Sequence, residues 1–442
     1  MYRFTFHNID NTSQYEELIK EFLQPSEYGP GGETSLEYDF RGDKDEVKRQ
    51  IYRDLCRETG KSPKWGILTG IRPVKLAAEL LHQGKDPEAV LKEAYLVHDS
   101  KAALVKDILD YQLQTAGKPK TNSLSVYIGI PFCPTRCLYC SFTSNQVRQE
   151  EMEPYLAALE KEIEYAGAAA RDAGYRLETI YFGGGTPTSL SAGQLDRLLS
   201  KVSHAFALGS VREYTVEAGR PDTITEEKLK VLIEHGVDRI SINPQSMKQE
   251  TLELIGRRHT VEDVYKAFEL AWKVGVEEVN ADLIAGLPEE SEEDFARSLD
   301  EVMRLGANHV TLHTLAVKRA SRLKELDENF NYKDEELRER MLAAAHETLR
   351  GKGYRPYYLY RQKHTSGNTE NTGFCRDGRP GLYNIRIMEE AQSILALGAG
   401  GISKIYFPAE NRLERVANVS NYEIYIDRID EMIERKKNKF FI

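Results

Sequence analysis

Six short apolar, β-rich runs recur along the middle of the chain, and they constrain its fold more than any other feature. They are VYIGIPF (126–132), TIYFGGG (179–185), EYTVEAG (213–219), RISINPQS (239–246), EVNADLIAGLP (278–288) and HVTLHTLAV (309–317). Amphipathic helical stretches lie between them, among them EMEPYLAALEKEIEYAGAAARDAG and SEEDFARSLDEVMRLG. The second carries acidic residues in its first turn and Gly306 just past its end, which suits the helix dipole and a C-cap. Strand–helix alternation repeated in this way argues for a parallel α/β sheet. Six units suit a (β/α)6 barrel or partial barrel, and a doubly wound open sheet satisfies the same spacing. Both place chemistry at the C-terminal ends of the strands.

The flanking regions differ in character. YRFTFHN and SLEYDF read as strands, while DKDEVKRQIYRDLCRETG and DPEAVLKEAYLVHDSKAALVKDILDYQLQ read as helices. KWGILTGIRPVKLAAELL joins them, and GKPKTNS (117–123) reads as a linker. After the core the chain passes through a polar stretch, RQKHTSGNTENTGFCRDGRPG, and then an apolar one, AQSILALGAGGIS. A chain of 442 residues is long enough for two or three domains. The expected division is an N-terminal α/β accessory domain (1–122), the core (123–325) and a C-terminal extension covering the substrate side (326–442). With 40% hydrophobic and 29% charged residues the composition is that of a soluble globular protein. No run of about 18 apolar residues is present, so no membrane span is expected. MYRFTFHNID lacks the basic-then-apolar layout of a signal peptide, which makes the cytoplasm the expected location. A formal charge of −10 argues against broad nucleic-acid binding.

Three of the five cysteines, Cys133, Cys137 and Cys140, fall in a C-x3-C-x2-C pattern where the first core strand should end. So tight a group in a reducing compartment points to metal binding or catalysis rather than to disulfides. A structural zinc site closes with four ligands; here no fourth cysteine is near, and no histidine falls between the cluster and His204. An iron–sulfur cluster also usually takes four thiolates. Three thiolates would leave one iron of a 4Fe–4S cluster without a cysteine ligand, which is useful if a substrate or cofactor must bind the metal. Cys56 and Cys375 are most simply a packed helix thiol and a loop thiol.

This pattern, at the end of the first strand of a six-unit core, resembles the radical S-adenosylmethionine (SAM) superfamily. The resemblance implies a 4Fe–4S cluster whose fourth iron is chelated by SAM, and a 5′-deoxyadenosyl radical formed after an electron breaks a C–S bond of SAM. An electron donor such as a flavodoxin or ferredoxin is implied as a partner. Tyr139, between the last two cysteines, matches a frequent aromatic, although simple loop packing would also account for it. In YFGGGTPT the glycines let a ligand approach the backbone, and Gly184, Gly185 and Thr186 match the family's site for the methionyl amino group. Glu217 matches a ribose-binding carboxylate. Gln245, Arg257 and Asp282 fall in order on later strand ends, Arg257 offering a planar fork for a carboxylate.

The wording of the motifs is similar to one branch, the oxygen-independent coproporphyrinogen III oxidases and their relatives, over about residues 124–405. The matching segments are YIGIPFC, FGGGTPT, VEAGRPDTIT, RISINPQS, IGRRHT, NADLIAGLP and LGAGGIS. This resemblance implies SAM contacts at Tyr127, Glu217, Gln245, Arg257, Asp282, Ala316 and Ile402. The family can bind two SAM molecules, and the sequence does not divide these residues between two sites. Two departures stand out. Phe142 occupies the position where the oxidases carry a further cysteine, and YNIRIM (383–388) replaces the H-N-x-x-Y-W stretch of the haem-chaperone relatives. WGILTGIRPVKL, YYLYRQK and YNIRIMEEAQSILALGAG are most similar to the HemZ-type coproporphyrinogen dehydrogenases. The resemblance therefore implies oxidative decarboxylation of a tetrapyrrole in haem biosynthesis. A haem-trafficking role and another radical reaction on a tetrapyrrole are the alternatives. Propionate side chains need cations, and Lys318, Arg319, Arg361 and Lys363 are the candidates, although all four would also read as ordinary solvated charge. His313 either packs at the end of the core or faces the substrate.

Overall fold

Each of the six runs contains a strand in the computed structural model, which describes every residue except 10, 41, 141–143, 316–334, 363–368 and 442. Two N-terminal strands, β1 (Tyr2–His7) and β2 (Thr34–Asp39), pair in parallel as a separate ribbon. The core strands are β3 (Ser123–Ile130), β4 (Arg176–Gly184), β5 (Glu213–Gly219), β6 (Arg239–Ile242), β7 (Glu278–Ala285) and β8 (His309–Thr314). They are hydrogen-bonded in chain order, each parallel to the next. A doubly wound sheet reverses its strand order partway. No reversal occurs here, so the partial (β/α)6 barrel is the fold.

Period-two alternation sorts the side chains. Val126, Ile128, Ile180, Phe182, Val216, Ile240, Leu283 and Leu312 are wholly buried in one apolar core. Their alternates, including Tyr127, Tyr181, Glu217, Asp282 and His313, occupy the opposite, concave face. The crossover helices start where their sequences ask them to. Ser191, Thr260 and Ser291 each close a capping box with the residue three positions on.

The rest of the chain widens the sheet on both sides. β9 (Arg355–Arg361) and β10 (Glu370–Cys375) form an antiparallel pair, and β10 lies against β8. At the other edge β11 (Ser393–Leu397) runs parallel to β3, followed by antiparallel β12 (Ile402–Phe407) and β13 (Arg412–Ala417). The expected 325/326 boundary lies outside the described residues. The single long N-terminal helical stretch is two helices, Pro87–Glu93 and Asp99–Thr115. Between them Leu96 takes a left-handed φ of 56°, and His98 caps the second helix by accepting from the Ser100 amide. The N-terminal region docks on β9 and β10 through Trp65. Its indole N–H donates to Glu370 (3.1 Å), Lys101 pairs with the other Glu370 oxygen, and Arg361 stacks 4.9 Å above the ring.

Candidate functional site

β3 delivers the chain to Phe132, and the cysteine loop beyond it is tied down at three points. The Cys133 amide donates to the Asn145 carbonyl (3.0 Å) and the Leu138 amide to the Ile255 carbonyl (3.0 Å). Arg220 donates to the hydroxyl and carbonyl of Thr135 while its other edge pairs with Asp222 at 2.7 Å. Cys137 is buried, and Cys133 and Cys140 are half-buried. Burial pushes the Cys133 thiol up to about 11. The glycine run of β4 passes directly beneath this loop. A Cβ on Gly185 would sit 2.5 Å from the Phe132 carbonyl oxygen and 2.9 Å from Cys133 Sγ, and Gly184 holds a φ of +112°. The Thr186 hydroxyl lies 3.4 Å from Cys133 Sγ. Three thiols on one anchored loop, floored by backbone too close for any side chain, fit the donor set of a 4Fe–4S cluster.

The strand ends beside this loop carry polar groups in need of a ligand. Gln245 Oε1, Asn243 Oδ1 and Arg257 Nε are buried and have no hydrogen-bond partner among the described residues. Buried polar atoms are almost always paired, so three orphans at one rim suit a polar cofactor. Gln245 also holds a left-handed φ of 70°, fixed because its amide donates to the Asp282 carbonyl and its carbonyl accepts from Ile284. Strain of this kind gathers at binding sites. Arg257 donates to the Asn243 carbonyl at 2.5 Å. Burial opposes its charge, but Tyr139, Cys137, Asp222 and Asp282 outweigh that and raise its pKa.

Glu217 lies two residues before the end of β5 with its carboxyl turned to the concave face, where Tyr181 donates to it at 2.5 Å. Burial raises its pKa to about 7, against the lowering effect of that hydrogen bond. Asp282 faces it from β7. Burial disfavours the Asp282 charge, but His313 (3.4 Å from Nε2), Asn280 and Thr311 outweigh it and hold the pKa below the usual carboxylate range. The Tyr360 hydroxyl lies 3.4 Å from His313 Nδ1. His313, open between two expectations, therefore lines the lumen.

Aromatic rings fill the middle of the lumen. Tyr181 stacks on Tyr383 with centroids 4.4 Å apart, and Tyr127 stacks near both at 6.2 and 6.3 Å. Tyr383 arrives on the helix Leu382–Glu389, whose first amides, of Leu382 and Tyr383, donate to the Glu213 carboxylate at 2.5 and 3.0 Å. Tyr358 and Tyr360 of β9 stack at 6.4 Å.

The structure thus brings together Cys133, Cys137, Cys140, Gly184, Gly185, Thr186, Tyr127, Glu217, Gln245, Arg257 and Asp282. Tyr139 packs on the Leu252 and Ile255 cluster beside the loop. Ile402 is half-exposed at the start of β12. Arg361 does not face a carboxylate substrate. It is 3% exposed, bonded to the Leu68 carbonyl, paired with Glu21 at 3.4 Å and stacked on Trp65. Ala316, Lys318, Arg319, Lys363 and Phe142 lie outside the described residues. Sequence reading missed Arg220, Tyr181, Tyr383 and His259. His259 is wholly buried beside Arg257 with both ring nitrogens unpartnered among the described residues, and burial drives its pKa down to about 3.

Comparison with known proteins matches residues 127–302 to the radical SAM superfamily model. The chain is 42% identical to the oxygen-independent coproporphyrinogen-III oxidase-like protein HemZ of Bacillus subtilis, over 87% of this chain and 79% of that protein. It is 38% identical to the heme chaperone HemW of the same organism, over 44% of this chain and about half (51%) of that relative. Its fold is that of the coproporphyrinogen III oxidase HemN of Escherichia coli, a radical SAM enzyme. The TM-score is 0.57 at 24% identity, covering 73% of this chain and 72% of the other.

Proposed function

Because this chain belongs to the radical SAM family of oxygen-independent coproporphyrinogen III oxidase-like proteins, we propose that it oxidatively decarboxylates coproporphyrinogen III to protoporphyrinogen IX. Cys133, Cys137 and Cys140 would hold a 4Fe–4S cluster, and SAM would bind beside it. Gly184, Gly185 and Thr186 take the methionyl end, Glu217 accepts from the ribose hydroxyls, and Gln245, Arg257 and Asp282 take the remaining polar atoms. When bound, the cofactor would supply the radical chemistry needed to take one hydrogen atom from a propionate β-carbon. Loss of carbon dioxide and of one electron, to a one-electron acceptor, then leaves a vinyl group at each of two positions. The tyrosine wall excludes water from the radical and offers flat faces to a macrocycle.

The observation that carries this reading over haem trafficking is Tyr383. It stands where the chaperone relatives have the histidine of H-N-x-x-Y-W, and it is stacked at 4.4 Å on Tyr181. Burial, with the Tyr127 and Glu217 charges, holds its phenol well above the ordinary range, and the chain offers no histidine at this position. The resemblance to HemW favours the second reading, a haem chaperone. Haem titration of the anaerobically reconstituted protein, alongside 5′-deoxyadenosine formation from SAM, separates the two. An oxidase forms deoxyadenosine faster when coproporphyrinogen III is added. Tight stoichiometric haem binding with no response to coproporphyrinogen would favour the chaperone.

A further inference from the structure

The IRPVKL segment has no part in the site described so far. Its Arg72 and Lys75 meet Lys404 of β12 and Arg415 of β13 around one carboxylate, Glu390. Arg72 Nη1, Lys404 Nζ and Arg415 Nη2 lie 3.0, 3.1 and 3.3 Å from Glu390 Oε1, and Lys75 Nζ lies 3.2 Å from Oε2. Among the described residues none of these four cations has another acidic partner, so three positive charges are left unmatched by ion pairs. Glu390 and Lys404 are themselves buried, and Arg72 Nε is buried with no hydrogen-bond partner among the described residues. The helix Pro73–His82 begins at Arg72 with no side-chain cap, so its first amides add partial positive charge at the same place. A clasp between two parts of a protein is best built from matched pairs, because excess buried charge is costly. Four cations on one carboxylate suit a second anion.

The cluster lies on the lumen face of the sheet. Lys404 pairs with Ile394, Ile394 pairs with Ser125, and Tyr127 lies two residues further along β3. Residues so related share one face of the sheet, the face that carries the stacked tyrosines. At about 4.8 Å per strand and 3.3 Å per residue, the two backbones are about 12 Å apart. Lys404 also donates to the Ile387 carbonyl (3.3 Å) of the helix that presents Tyr383. We infer that Arg72, Lys75, Lys404 and Arg415 form a carboxylate dock for the propionates of a tetrapyrrole lying in the lumen, with Glu390 holding the incoming carboxylate's place. The inference rests on the proposed function for the class of ligand, and is independent of the reaction.

Coproporphyrin III, an air-stable tetracarboxylate, and its uncharged tetramethyl ester test it by fluorescence titration of the full chain. Wild type should prefer the acid. The Lys75→Ala/Arg415→Ala protein should bind the acid about a hundredfold more weakly, because each charged hydrogen bond is worth about a decade, with ester affinity and melting temperature kept. Glu390→Gln removes the internal competitor and should tighten acid binding. Unchanged acid affinity in the double variant, or weakened acid binding in Glu390→Gln, would make the cluster a structural clasp and overturn the dock. Acid preference without decarboxylation would remove the proposed reaction and leave the dock standing.

Discussion

Glu217 carries the site's most informative single ionisation. Its native pKa of about 7 stands above the ordinary 4.5, chiefly because burial penalises the charge. Between those values the native carboxyl holds a proton that the unfolded chain has already released. Stability from this group is therefore present at low pH and lost as pH rises through 7. Glu217→Gln removes the dependence. Relative to wild type, the melting temperature of the metal-free variant should rise between pH 5 and pH 8, and parallel curves would contradict the burial of this carboxyl. At this scale the sequence was readable where chemistry is written in neighbouring residues. The three cysteines lie within eight positions, and Gly184, Gly185 and Thr186 adjoin. Tyr383 and Arg220 were not readable, because their partners Tyr181 and Thr135 are 202 and 85 positions away and only the closed sheet joins them.

Elements were legible in proportion to their apolar periodicity. The six core strands and the capped crossover helices follow it. β10 does not: ENTGFC reads as polar loop, yet every residue of it is buried. Two of its polar side chains are held by neighbours. Asn371 Oδ1 accepts from the Thr314 amide (2.7 Å), and Glu370 joins Trp65 and Lys101; against burial, Lys101 and His346 hold its pKa down at about 2. Arg361 eludes sequence reading for the same reason, since a cation in a polar sequence gives no sign of burial against the remote Trp65, Leu68 and Glu21. Arg361→Ala should accordingly act on stability. Urea unfolding should show a loss of about 3 kcal/mol or more, as expected when one partner of a buried charge network is removed, while coproporphyrin III affinity is unchanged. Weakened porphyrin binding in a protein of normal stability would restore Arg361 to the substrate site.

At the scale of the whole molecule, one sheet of eleven strands among the described residues joins the six-strand core to the C-terminal strands. Strand–helix alternation identified the six-unit centre. It could not announce that later strands would extend both edges, because β11 begins 263 positions after β3 ends and β10 meets β8 only after a helix and a hairpin. The result encloses a tyrosine-lined lumen between the cysteine loop at the strand ends and the helix Leu382–Glu389, with a cationic seam at its side. No described helix is long and apolar enough to cross a membrane. By the proposed function, this lumen turns coproporphyrinogen propionates into vinyl groups. Mass spectrometry of the tetrapyrrole after anaerobic incubation of the cluster-loaded chain with SAM, a strong reductant and coproporphyrinogen III tests it most directly. The expected result is a product lacking two carboxyl groups, one deoxyadenosine per vinyl formed, and neither from Cys137→Ala. Coproporphyrinogen recovered intact, with SAM cleaved independently of it and haem held tightly, would contradict it.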